Sequence, residues 1–147
     1  MIVSKTFSEL NNQELYQILR LRSEVFVVEQ DCVYQDLDNK DQISIHIFQK
    51  EKDEIVAYTR IFKSGDYYKN PSIGRVVVSK KKRGKQLGKK IMICSIDYIK
   101  KNLKDDKIEL SAQKYLDKFY KDLGFYKTGK DYLEDGIPHQ RMIKEIH

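Results

Sequence analysis

The residues best suited to chemistry lie in one stretch, Ile73-Gly74-Arg75-Val76-Val77-Val78-Ser79-Lys80-Lys81-Lys82-Arg83-Gly84-Lys85-Gln86-Leu87-Gly88-Lys89-Lys90. An apolar strand runs into a short basic turn, and the turn opens a long helix. Backbone N–H groups at a helix start are unpaired and carry partial positive charge, so this unit suits a phosphate. Gly84 and Gly88 let the backbone approach a ligand closely, and the lysines add charge without fixing geometry. A P-loop is excluded, because Gly84 to Gly88 is one residue short and Lys90 stands where Ser or Thr belongs. A dinucleotide-type G-x-G-x-x-G is absent as well. The competing reading of these residues is a solvated basic turn that caps a helix.

Other reactive side chains are sparser. Asp36, Asp38 and Asp41 invite a calcium loop, but Lys40 takes the fifth position and the required Gly is missing from the sixth. They read as a solvated turn, with attraction of a cationic amine as the second reading. Cys32 and Cys94 lack zinc or disulfide spacing and are expected to be buried as small hydrophobes. Cys32 has acidic neighbours, Glu29 and Asp31, which argues against a nucleophile.

Positioning these groups requires a mixed set of elements. Leu15, Ile18, Leu19, Arg22, Val25 and Phe26 recur at helical spacing after Asn11-Asn12, which predicts a helix over 12–28. Ile43, Ile45 and Ile47 alternate with polar partners, residues 55–62 form a second apolar run, and residues 72–79 a third, predicted to be buried on both faces. A helix follows over about 85–101, then a short strand at 108–112. A helix over 115–123 stops at Gly124, and strands 125–128 and 137–146 pair around Asp135-Gly136. The chain order is strand, helix, three strands, helix, strand, helix, two strands, which is an α+β pattern with both parallel and antiparallel neighbours.

Composition sets the outer bounds. The 147 residues, without repeats or Pro-rich linkers, are expected to form a single domain over 1–147 that buries about 70% of its unfolded surface. Hydrophobic residues make up 40% and Pro only 2 positions, which argues against disorder. The 28 Lys and Arg outnumber the 22 Asp and Glu for a net charge of +6, so an anionic partner is expected. No apolar run nears the length of a membrane span and the N-terminus lacks a secretory pattern, so the expected location is the cytoplasm, without a membrane partner.

The segment Arg83-Gly84-Lys85-Gln86-Leu87-Gly88 resembles the acyl-CoA pyrophosphate loop of the GNAT superfamily of N-acetyltransferases, [RQ]-x-x-G-x-[GA]. Arg83 and Gly88 fit, whereas Gln86 sits where the strict pattern has Gly. Downstream, Lys118-Phe119-Tyr120-Lys121-Asp122-Leu123-Gly124-Phe125 resembles the superfamily's later signature, a Tyr four residues before Gly-Phe. The strings Arg22 to Gln30, Tyr34 to Asp38 and Glu134 to His139 are similar to its ElaA-like branch.

The resemblance implies the GNAT acyl-CoA N-acyltransferase fold, a central mixed but mostly antiparallel sheet flanked by helices, with a splayed parallel strand pair at the cofactor site. It implies an acetyl-CoA-dependent N-acetyltransferase in which a primary amine attacks the thioester directly within a ternary complex. Backbone groups of Val76, Val77 and Val78 would meet the pantetheine arm. The loop Arg83, Gly84, Lys85, Gln86, Leu87, Gly88 and Lys89 would hold the pyrophosphate. Tyr120 matches the residue that protonates the departing thiolate, and a phenol is protonated at neutral pH. Glu29 is the first candidate for general base, with His46, His139 or a water as alternatives. No metal is expected. The acceptor is a small-molecule or protein amine, a homodimer stays open, and the rival readings are a non-catalytic acyl-CoA sensor and a basic nucleic-acid-binding module.

Overall fold

The computed structural model describes residues 1–146. The last residue of the expected 1–147 domain falls outside that range. Seven strands form one sheet: β1 (Ile2–Thr6), β2 (Ile45–Glu51), β3 (Glu54–Phe62), β4 (Ser72–Val78), β5 (Lys107–Gln113), β6 (Tyr126–Glu134) and β7 (Ile137–Glu145), in the order β1-β2-β3-β4-β5-β7-β6. Every neighbouring pair is antiparallel except β4 and β5. The α+β sheet expected from the sequence is the one observed.

Period-two alternation divides the core into two layers. Ile45, Ile47, Ala57 and Ile61 face α2 (Leu87–Tyr98), whose Ile91, Met92 and Ile96 pack on them. Phe48, Tyr58 and Val77 face the opposite way and meet Ile18 and Leu21 of α1 (Asn12–Arg22). Each such side chain contributes about 1.5–3 kcal/mol by leaving water. Both layers must be filled for the sheet to hold its twist and its ends in place. Among the described residues no helix is long and apolar enough to cross a membrane.

Local chemistry sets the helix ends. Asn11 Oδ1 accepts from the Glu14 N–H at 2.7 Å and Glu14 returns a bond to the Asn11 N–H at 3.0 Å, a reciprocal cap that starts α1. The helix then widens into a π-helical turn, Ser23–Glu29, so the expected 12–28 segment is continuous but changes register. α2 begins at Leu87, two residues later than expected, because Gly84 (φ 83°) and Gln86 (φ 62°) are left-handed. α3 is short, Asp117–Asp122, since residues 114–116 form a tighter turn.

Three strand expectations need correction. Ile43 belongs to a turn before β2 and is exposed, so the alternation begins at Ile45. β6 extends to Glu134, much farther than 125–128; it is an edge strand, largely exposed along its length, which hides its pattern. β4 is not buried on both faces along its length: Val77 is buried, while Val76 and Val78 are half-buried. The cause is the departure of its neighbour β5.

Candidate active site

β4 and β5 meet at a single residue pair, Ser72 with Glu109, next to the Glu109 N–H bond to the Pro71 carbonyl at 2.9 Å. Beyond that point the strands splay. β4 is therefore paired through β3 alone, and its other edge offers backbone groups without a strand partner, of which the Val78 carbonyl is taken by the Arg83 side chain. A bulge sharpens the effect. Tyr58 pairs Val77 and Arg60 pairs Gly74, so Arg75 and Val76 together oppose Thr59, with Arg75 at φ 51°.

A cavity of about 890 Å³ fills the gap. Its near wall is Val76, Val77 and Val78, and its far wall is Ser111 and Gln113 of β5. Gly84 and the first turn of α2 through Lys89 also line it, as do Glu134, Asp135 and His139 of the β6–β7 hairpin. Tyr120 of α3 closes the far side, and Glu29, Cys32 and Tyr34 come from the chain after α1. Of the expected loop, Arg83, Gly84, Gln86, Leu87, Gly88 and Lys89 line this cavity, whereas Lys85 does not. A Cβ on Gly88 would sit in ordinary contact with Val78 and Phe119 at 3.6 Å, so this glycine keeps the wall thin.

The basic turn divides its charges. Lys81 pairs with Glu54 at 2.5 Å and Lys82 with Glu51 at 2.7 Å, which ties the turn to the β2–β3 hairpin. Lys85, Lys89 and Lys90 have no ion pair among the described residues. Arg83 folds inward. Its guanidinium donates to the Val78 carbonyl at 3.1 and 3.2 Å and to Glu29 at 3.0 Å.

The Arg83 hydrogen bonds hold the Glu29 carboxyl below the usual carboxylate range. Glu29 is thus on the cavity wall with its carboxylate paired to Arg83. His46 is not in the cavity at all. It is fully buried, its ring nitrogens 2.6 Å from the Tyr58 hydroxyl and 2.9 Å from the Asp41 carbonyl, and burial pushes its pKa down. His139 does line the cavity.

Tyr120 is buried, and its ring meets Phe119 and Phe125 edge-on at centroid distances of 5.1 and 6.0 Å. Burial pushes its hydroxyl pKa up, so the proton is retained at neutral pH. No hydrogen bond to that hydroxyl occurs among the described residues. The result is a protonated donor without a partner, at a cavity wall.

The acidic stretch is the largest departure from expectation. Asp36 and Asp41 are buried rather than solvated, and they hold arginines. Arg22 donates to Asp36 at 2.9 Å and Asp41 at 2.7 Å; Arg60 donates to Asp41 at 2.9 Å and Asp38 at 2.8 Å; Arg75 lies 2.7 Å from Asp36. Burial pushes the Asp38 carboxyl up, but the bonds and charge of Arg60 and Arg75 outweigh it and hold the pKa at about 2. These pairs pin the loop after α1 to the bulge of β4, and so set the wall that carries Cys32 and Tyr34. The signal was present in the sequence: Arg60 and Arg75 each interrupt an apolar strand, and a buried arginine needs carboxylates. The cysteines also differ from expectation, since Cys32 and Cys94 are both half-buried.

The comparisons with known proteins agree with this geometry. The family model for the acetyltransferase (GNAT) domain matches residues 6–146. Protein ElaA of Escherichia coli (strain K12) is 43% identical over 141 residues, which covers 95% of this chain and 92% of that protein. The crystal structure of Escherichia coli ElaA superposes with a TM-score of 0.92 at 39% identity, over 99% of both chains. An acyl-CoA N-acyltransferase from Pseudomonas aeruginosa superposes with a TM-score of 0.92 at 36% identity, over 98% of this chain and 99% of that one. A splayed β4–β5 pair, a basic turn into α2 and a family match over nearly the whole chain lead to one conclusion: this protein belongs to the GNAT acetyltransferase superfamily and resembles ElaA.

Proposed function

We propose that this chain transfers the acetyl group of acetyl-CoA to a primary amine by direct attack within a ternary complex. The observation that carries the reading is the free edge of β4 running into the amides at the start of α2, along one cavity that Tyr120 also lines. The residues present fit the cofactor. Val76, Val77 and Val78 supply backbone groups for an extended arm, and their side chains pack into the core. The amides of residues 87–89, the left-handed turn at Gly84 and the unpaired Lys89 suit a pyrophosphate. Acetyl-CoA supplies an activated acyl group when bound.

The remaining chemistry falls to the protein. A backbone N–H near Val77 or Val78 stabilises the oxyanion of the tetrahedral intermediate. Tyr120 donates its proton to the departing thiolate, a role that its buried, unpartnered hydroxyl supports. The acceptor enters beside Glu134, Asp135 and His139 of the cavity lining, where carboxylates favour a cation over an anion. The work belongs in the cytoplasm, and no metal takes part. A nucleic-acid role fits less well, because Lys81 and Lys82 are already paired with Glu54 and Glu51.

A panel of primary amines, from small diamines to lysine-bearing peptides, tests the reading by thiol release from acetyl-CoA. Release that depends on both amine and enzyme is expected. Binding of acetyl-CoA with no release above background for any amine would leave the acyl-CoA sensor standing.

A further inference from the structure

The base for the reaction is left open by the sequence, and of the side chains it offers one ring keeps a free nitrogen at the cavity wall. Glu29 is held by Arg83, and His46 is sealed between Tyr58 and the Asp41 carbonyl. His139 lies on β7, opposite Gln113 of β5 and Tyr132 of β6, only 6% exposed yet on the cavity wall. Its Nδ1 is 2.7 Å from the Ile137 carbonyl oxygen. A carbonyl can only accept, so Nδ1 carries the hydrogen and the neutral ring keeps its lone pair on Nε2.

That second nitrogen has no hydrogen bond among the described residues. The Glu134 carboxylate stands 3.5 Å from it and, having no hydrogen to donate, leaves the lone pair unoccupied. Glu134 is itself held by a 3.2 Å bond from the Ser111 hydroxyl, and Tyr132 stacks on the imidazole at 6.2 Å with a 24° interplanar angle. Tautomer, ring plane and counter-charge are thus all set before a substrate arrives.

We propose that His139 is the general base that deprotonates the acceptor ammonium, with Glu134 as its positioning carboxylate. The proposal rests on the acetyltransferase reading above. The ammonium proton passes to Nε2 and leaves its electron pair on nitrogen. That pair forms the N–C bond to the acetyl carbonyl carbon, and the C–S bond then breaks with its pair moving to sulfur. Sulfur takes the Tyr120 proton, the phenolate takes the second proton from nitrogen, and His139 releases the first to solvent.

The charged and titratable groups around the ring are Tyr132 and Glu134 on β6 and Asp135 in the turn, with Glu29, Cys32, Tyr34 and Arg75 on the wall across the cavity. Arg75 is paired with Asp36, Glu29 with Arg83, and Arg141, whose guanidinium lies 6.0 Å from the Tyr132 ring, with Glu109, which leaves Glu134 as the carboxylate within salt-bridge reach of the ring.

His139→Gln preserves a donor for the Ile137 carbonyl but cannot take up the proton. Its kcat should fall about 10²-fold, while KM values stay within about twofold. Stabilisation by acetyl-CoA should be unchanged. The acid limb of the kcat/KM profile should disappear in the variant. A wild-type kcat, or an acid limb that survives, overturns the base assignment alone. A wild type that releases no thiol with any amine overturns the acetyltransferase reading and the base together. Nitrogen-15 chemical shifts of the ring give a readout without turnover: the Nδ1–H tautomer is expected, and the Nε2–H tautomer overturns the proposal.

Discussion

Two charged regions of this molecule invite opposite treatment. In the loop after α1, Asp36, Asp38 and Asp41 meet Arg22, Arg60 and Arg75, and both signs are satisfied internally. At the entrance to α2, Lys85, Lys89 and Lys90 surround free backbone amides and find no carboxylate among the described residues. Matched charge in the first region fixes the wall of a cavity. Charge in the second is left unmatched by the protein itself. The same residue types are therefore paired and buried in one place and unpaired in the other, where the proposed function assigns them to ligand binding.

The sharpest way to break the contrast is to unmatch the first region. Asp41→Ala takes one carboxylate from both Arg22 and Arg60, leaving them Asp36 and Asp38, and removing one partner of a buried pair costs about 3–5 kcal/mol. Denaturant unfolding should show that loss. A cost below about 1 kcal/mol, the value of a surface pair, would contradict the assignment.

Acid should act on the same cluster. The Asp38 pKa is depressed to about 2, so its stabilisation is complete above the unfolded value of about 3.9 and is lost as pH falls toward 2. Thermal unfolding between those pH values should show a steeper loss in the wild type than in Asp38→Asn.

The next effect lies at the cavity. Tyr120→Phe should lower kcat about 10²-fold, equivalent to about 2.7 kcal/mol, with acetyl-CoA binding nearly intact. Its stability should hardly change, because the hydroxyl has no protein partner to lose. Equal losses in binding and rate would mark Tyr120 as structural.

Two smaller effects sharpen the ligand side. Gln86→Gly should raise stability by about 1 kcal/mol, since Gln86 is held at φ 62° where glycine is unstrained. Lys89→Ala should weaken acetyl-CoA severalfold and reduce its salt dependence, whereas Lys81→Ala, whose partner is Glu54 on an exposed surface, should leave binding unchanged. Similar losses for both lysines would mean that the turn acts through net charge alone.

The sequence made some of this plain and hid the rest. The strand, basic turn and helix from Ile73 to Lys90 were legible because local pattern dictates them, and the left-handed Gln86 accounts for the family's preference for glycine there. The splay of β4 from β5 was implied by the family likeness rather than by local pattern, as it depends on pairing across 37 residues from Ser72 to Glu109. The aspartates misled because a run of Asp in a turn normally stays in water, and their arginines lie up to 39 residues away. Glu29 lies on the cavity wall, and its pairing to Arg83 depends on a contact 54 residues distant. Long β6 escaped notice because an edge strand needs no apolar face.

The central claim is that the free edge of β4 and the start of α2 form an acetyl-CoA site. Titration of the protein with acetyl-CoA, followed by amide chemical shifts and by thermal unfolding, tests it directly. Shifts should concentrate at Val76 to Val78 and Arg83 to Lys89, and each tenfold rise in ligand above Kd should add about 1.4 kcal/mol of stability. Perturbations scattered over the basic surface, or no stabilisation at saturating ligand, would contradict the account.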